Sequence, residues 1–229
     1  MATIDQPLAD ARDMAPAHRM FRREFGLMPG LVRAVATGDR ERTALVAAHI
    51  ALVCSVLEHH HSGEDQYVWP LLRERCPEES AGIDVAVMEK QHQAIHEGLV
   101  RVKQDVAAWS GSASADPREA AADAIDWLIP VMKEHLALEE ERVVPLIEKY
   151  LTDAEYARVA QGQAAETPPE KLPALFGMFT YETTPEIIDM VITHMPAEIQ
   201  PVIKDLGAQA YATYAQELYG TATPARVDG

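Results

Sequence analysis

The stretches HHSGEDQYVWPLL (60–72) and HLALEEERVVPLI (135–147) are two versions of one segment. Laid one over the other, His60 falls on His135, Glu64 on Glu139, Val68 on Val143, Pro70 on Pro145 and Leu71 on Leu146. The shared unit is a histidine, a glutamate four residues later, and a proline six residues after that. Residues four apart on a helix sit on one face, one above the other. A His and a Glu so placed can both reach one metal ion. The register selects His60 from the run His59, His60, His61, and Glu64 over Asp65. His61 and Asp65 are also four apart but lie about 100° further round the helix, and His59 finds only Gly63. The stripe Ile50, Val53, Leu57, His60, Glu64, Tyr67 and Leu71 would face a core.

Outward from this unit the chain reads as helix. Long amphipathic segments are expected at about 16–36, 40–75, 83–109 and 117–150, with Pro16 and Pro117 in first turns and Pro70, Pro130 and Pro145 inside helices. TGD (37–39), CPEESAG (76–82) and SGSASAD (110–116) are the links. Short links between long helices imply antiparallel neighbours. The fold class expected is therefore all-α: an antiparallel up-down-up-down four-helix bundle over 1–151. Residues 152–229 are richer in proline and read as a helical extension of short pieces packed on the bundle.

Composition agrees with helices. The chain has 229 residues, 48% hydrophobic and 6% aromatic, enough for one sizeable core. A net charge of −16 argues against nucleic acid or an anionic membrane as partner. No stretch reads as a membrane span of roughly 20 apolar residues. The start MATIDQPLADARDM has early acids and no apolar signal region. Cys54 and Cys76, if on one helix, stand about 33 Å apart and cannot bridge. Free thiols fit a cytoplasmic protein.

Two further histidine sites join the repeat. MEKQHQAIHEGL holds His92 and His96, four apart, and APAHRMF holds His18. Counted to their nearest turns at 1.5 Å per residue, His18 and His60 return to one level after about 20 residues each. Glu64 and the His92–His96 midpoint do so after about 15, and that midpoint and His135 after about 20. All four helices thus deliver donors to one layer. Five histidines and two carboxylates exceed the four ligands usual for one zinc ion. They suit two transition-metal ions bridged by carboxylates inside a bundle.

The ordered set in HRMF, HHSGEDQYVWP, QHQAIH and HLALEEERVVP resembles the hemerythrin-like (HHE cation-binding) family over about 16–150. The resemblance implies a bundle around an oxo- or hydroxo-bridged di-iron centre. It gives His92, His96 and His135 to one iron. His18 and His60 go to the other, which keeps an open position, and Glu64 and Glu139 bridge the pair. In the animal oxygen carriers the second bridging acid is an Asp five residues after its His. Here it is a Glu after four, with Glu140 at the fifth position. The extension looks like that of some actinobacterial relatives.

The remaining candidates take ordinary roles. His49, His59 and His61 read as solvated or half-buried polar residues, and His194 as a surface or structural one. Cys54 reads as a small buried residue, and Trp69, Trp109, Trp127, Phe21 and Phe25 as core; Phe21 or Phe25 would wall the open iron position. The run LEEER reads as a solvated face apart from Glu139. Two function classes follow. The first is a binding protein that takes O2 or NO at the open iron position for storage, transport or sensing. The second is a di-iron enzyme acting on peroxide, NO or a small substrate, with iron homeostasis a third option. The sequence sets no oligomeric state.

Overall fold

The computed structural model describes residues 6–76 and 85–226. Among them the regular elements are helices: α1 (Met14–Ala34), α2 (Arg40–Tyr67), α3 (Trp69–Arg75), α4 (Val85–Ser112), α5 (Ala115–Arg142) and α6 (Val144–Tyr150). The extension adds α7 (Asp153–Glu166), a 3₁₀ turn (Pro169–Lys171), α8 (Leu172–Thr180), α9 (Pro185–Thr193) and α10 (Gln200–Tyr219). The expected link after Cys76 and the expected helix start near Ile83 fall at 77–84, outside the described residues.

Helices α1, α2, α4 and α5 form the bundle. Asp39 caps α2, its side chain accepting from the Arg42 amide. Gly38 turns the chain at φ 88°, and Ala113 sits in the left-handed region at φ 52°. The Gly38 amide donates to the Ala113 carbonyl at 2.8 Å, which ties the α1–α2 and α4–α5 turns together at one end of the bundle. The third link is shorter than its composition suggests. Helix α4 runs through Ser112 and α5 starts at Ala115, so Pro117 lies in the first turn without being the first helical residue.

The repeated prolines do more than kink. Helix α2 ends at Tyr67 and α5 at Arg142, and new helices start after a single intervening residue with Pro70 and Pro145 in their first turns. Val68 and Val143 bridge each break, donating their amides back to Glu64 and Glu139 at 2.9 and 2.8 Å. The stretch Arg40–Arg75 contains a window of mean hydropathy 1.3, long and apolar enough on composition to cross a membrane, contrary to the sequence expectation. Over half of that window, 56%, is buried inside the bundle, which accounts for its apolar character.

Two apolar clusters fill the interior. The larger holds Phe21, Phe25, Ile50, Leu57, Ile95, Leu99, Trp109, Leu128 and Leu136, with Met178, Tyr211 and Leu218 from the extension. The smaller holds Met14, Val68, Trp69, Leu72, Met88, Val143, Ile147 and Val159. Trp69 and Trp109 are core as expected; Trp127 is 49% exposed.

The extension docks through buried polar groups as well as apolar ones. Arg23 and Glu24 on α1 are fully buried. Arg23 donates to Glu24 and to the Met178 carbonyl, both at 2.8 Å, and pairs with Glu182. Glu24 accepts from the hydroxyls of Tyr211 and Tyr219. His49, expected near solvent, is buried beside them, 3.0 Å from the Tyr214 hydroxyl, and burial pushes its pKa down to about 4. Helix α10 is a 20-residue element, longer than the short pieces the prolines suggest.

Helices α8 and α10 cross at Gly177 and Gly207. A Cβ at Gly177 would stand 2.0 Å from the Gly207 carbonyl oxygen, a backbone atom that cannot swing away. Gly177→Ala should therefore lower stability by about 1–3 kcal/mol. Gly30→Ala, with nothing within 4 Å of the new Cβ, should be neutral or stabilising by up to about 1 kcal/mol. Urea unfolding of the two variants checks this; equal midpoints would mean α8 and α10 do not pack as described.

Candidate metal centre

Between the two apolar clusters lies a polar layer. His18 comes from α1, His60, His61 and Glu64 from α2, His92 from α4, and His135 and Glu139 from α5. His18, Glu64, His135 and Glu139 are fully buried, and His60, His61 and His92 are 5–7% exposed.

The donors form two halves. The Nε2 atoms of His18 and His60 are 3.1 Å apart, and those of His92 and His135 are 3.2 Å apart. Two nitrogens bound side by side to one first-row ion at about 2.0–2.1 Å stand about 3 Å apart, which matches both pairs. The carboxylates reach both halves. Glu64 lies 3.2 Å from His60 Nε2 and 3.6 Å from His92 Nε2. Glu139 lies 3.4 Å from His135 Nε2 and 3.5 Å from His18 Nε2. Ligand atoms of His61, Glu64, His92 and His135 all lie within 4.8 Å of one another, as do those of His18, His60 and Glu139.

These donors lack other partners. Both oxygens of Glu64, both of Glu139, and His61 Nε2 are buried without a hydrogen bond. A buried polar atom left unsatisfied costs about 1–3 kcal/mol, more if charged. Three such residues, Glu64, Glu139 and His61, set among four further histidines turned to the same layer, fit a bound cation.

Six of the seven residues picked from sequence meet here; His96 does not. It is exposed on α4, while Met88, His92, Ile95, Leu99, Val102, Val106 and Trp109 make the inward stripe. That stripe advances by four and three in turn, so the inward position after His92 is Ile95. His61 stands in the layer instead, its ring stacked on His92 at 4.3 Å and edge-on to His135 at 4.9 Å. Its ring is enclosed by side chains of α4 and α5, while α7 covers α2 on another side, where Val159 sits on Gly63.

Outer partners aim the rings. Asp65 accepts from His92 Nδ1 at 2.7 Å and from Trp69 Nε1 at 2.8 Å. Glu140 accepts from His18 Nδ1 at 2.9 Å and from Arg22 at 2.7 Å. Gln91 Oε1 lies 3.3 Å from His135 Nδ1. A partner on Nδ1 fixes the tautomer and leaves Nε2 free for a metal. The repeat carries a signal for these acids too, since Asp65 falls on Glu140. The register favours Glu64 over Asp65, and Glu140 reads as part of a solvated face, so the inward stripe singles out neither.

Burial governs the protons. It pushes the Glu139 carboxyl up to about 8 and Glu64 well above the usual range, the neighbouring Glu139 adding to the shift on Glu64. Burial holds His60 and His61 well below their ordinary value, and His135 down to about 2. In the metal-free centre at neutral pH burial thus favours neutral imidazoles at His18, His60, His61 and His135 and the protonated form of Glu64 and Glu139. A carboxyl whose pKa is raised on folding destabilises the fold as pH climbs from its unfolded value near 4.5 toward 8, and a bound cation reverses this.

Two outcomes are expected. Metal uptake near pH 7 should release protons, and the gain in Tm on adding metal should grow from pH 5 to pH 8; a pH-independent gain with no proton release would contradict the carboxylate role. His61→Ala should lower metal content at saturation and His96→Ala should leave it unchanged, measured by elemental analysis; the reverse pattern would mean that α4 is turned the other way.

No curated protein and no solved structure matches the chain. A family model does: the hemerythrin HHE cation binding domain, over residues 10–147. The match spans the bundle and α3 and includes the whole donor layer, leaving α7 to α10 outside it. The chain belongs to the hemerythrin HHE cation-binding family.

Proposed function

We propose that the centre holds two iron ions and takes up O2 or NO at an open position on one of them, for storage, transport or sensing. The observation that carries this is an asymmetry inside the repeat. His61 falls on Leu136, and both are buried in the same layer. One half therefore has three imidazoles, His61, His92 and His135. The other has His18 and His60, with an aliphatic side chain where a sixth histidine would be. Glu64 and Glu139 reach both halves and would bridge the ions. Iron so held supplies a reducible centre with affinity for diatomic ligands.

The chain's own groups prepare the open half. Phe21, its ring 5.4 Å from that of His60, and Leu136 make its surroundings apolar. Such a wall favours a small uncharged ligand over an anion. Glu140 holds the His18 ring from outside, so that the ring cannot turn away when the ligand leaves. A second reading, an enzyme acting on peroxide, NO or another small substrate at the same centre, is favoured by the cover that α7 lays over α2 next to Glu64.

Anaerobic Fe²⁺ loading should give two irons per chain, and O2 or NO should then change the visible spectrum. For a carrier the change reverses on removing the gas over repeated cycles; for an enzyme, added peroxide is consumed catalytically. Leu136→His should keep two irons and weaken gas uptake by at least about tenfold, a cost of about 1.4 kcal/mol. One iron per chain at saturation would sink the dinuclear reading, and unweakened uptake in Leu136→His would sink the assignment of the open half.

A further inference from the structure

The extension brings a phenol to the edge of the donor layer. Tyr156 and Val159 lie about one turn apart on the same face of α7. Val159 packs closely on α2: a Cβ built on Gly63 would stand 2.9 Å from its Cγ1. Gly63 lies between His60 and Glu64 in the chain. Tyr156 reaches the start of α1, where its hydroxyl donates to Asp13 Oδ1 at 3.0 Å. Asp13 stands five residues before His18. The helices met by Tyr156 and Val159 are therefore those that carry His18 and His60, the open half.

The hydroxyl stands beside the layer without joining it. The carboxyls of Glu64 and Glu139 act on it by charge, yet their oxygens have no hydrogen-bond partner. A group so placed meets a molecule that the ion holds rather than the ion itself. Burial, with the charges of Asp13, Glu64 and Glu139 added, pushes the phenol well above the ordinary tyrosine range. It therefore keeps its proton and serves as a donor. Phe21 and Leu136, the apolar neighbours of the open half, offer none.

We infer that Tyr156 makes the open half prefer O2 to NO, by turning its hydroxyl from Asp13 to the O2 held there. The inference rests on the di-iron reading and names the gas. Two ferrous ions can give one electron each to O2, whereas NO held at one ion takes at most one electron from it. Held O2 thus carries the greater negative charge, and a hydrogen bond to a charged acceptor is about twice as strong as one to a neutral acceptor. Rotation about the C–O bond redirects the hydroxyl, and Asp13, half-buried, can take water in its place. Tyr156 lies outside residues 10–147, so the preference belongs to this chain's extension and not to the segment shared with the family.

The test uses the full chain loaded anaerobically with Fe²⁺. In Tyr156→Phe, O2 should leave about ten- to hundredfold faster, the weight of a hydrogen bond to a charged group, while NO release changes by less than about threefold. In the unaltered chain the vibrational bands of the held O2 should shift in D2O, and in Tyr156→Phe they should not. A readout without gas uses Zn²⁺ alone. The ring-carbon NMR signal of Tyr156, identified by its loss in the variant, should move on loading by more than that of Tyr214, which lies against His49. Unchanged O2 release, or equal acceleration for both gases, would make Tyr156 a packing residue. An isotope shift that survives in Tyr156→Phe would place the donor elsewhere. Either overturns the inference and leaves the di-iron reading intact. A Tyr156 signal unmoved by Zn²⁺ would overturn its place beside the layer. An unaltered chain that takes up Fe²⁺ but neither gas would remove the gas-binding reading, and this inference with it.

Discussion

The structure depends on one constraint: seven polar side chains occupy a layer from which water is almost wholly excluded. An apolar bundle of this size has no need of such a layer, and in the absence of a cation it is expensive. Four carboxylate oxygens and one imidazole nitrogen lie there without a hydrogen bond. Replacing them with leucine would give a continuous core, joining the cluster around Phe25 and Trp109 to the one around Trp69 and Ile147. The two cores are separate because the layer lies between them. Family membership gives the reason for keeping it, since the family is defined by a bound cation.

Charge is divided within this layer in a way that lowers its cost. The carboxylates that face inward, Glu64 and Glu139, sit where burial favours their protonated form. The carboxylates that hold the rings from outside, Asp65 and Glu140, keep 49% and 30% of their side chains in contact with solvent. An exposed acid is ionised at little cost and still orients an imidazole through Nδ1. Arg22 adds a second bond to Glu140, and that carboxyl is held below its usual range by its hydrogen bonds to His18 and Arg22 against the opposing effect of burial. Only the groups that a cation would compensate are fully desolvated.

Much of this was legible in the sequence because the repeat records it. His60 with Glu64, and His135 with Glu139, follow from one register, and the equal distances to the turns put His18 and His92 at the same level. What failed was helix phase. A spacing of four suits two residues to one face, but the inward stripe of α4 alternates four and three, and Ile95 takes the position that His96 would need. His61 failed in the opposite direction. Its place on α2 lies outside the stripe through Leu57 and Glu64, and it is buried because His92 on α4 and His135 on α5 pack against its ring. Those rings come from about 30 and 75 residues later in the chain, which periodicity within α2 does not report. Trp127 reads as core, but its position on α5 faces out.

The extension was the least legible part, and much of what fastens it to α1 is polar. Arg23 and Glu24 look on paper like the solvated face of α1. In the structure they are a fully buried ion pair, met by Glu182, Tyr211 and Tyr219 from elements about 160–195 residues away. Each partner is unremarkable alone, so no local pattern announces them. The consequence reaches the metal layer through α1. Arg22 ties that helix to Glu140 on α5, while Arg23 and Glu24, the next residues round the helix, tie it to α8–α10. Phe21 and Phe25 fill the space between. A helix held on two faces within one turn cannot rotate about its axis without breaking buried, charge-assisted bonds. His18 stands one turn before those anchors, so its aim at His60 and Glu139 is set by the extension as much as by the bundle that contains it.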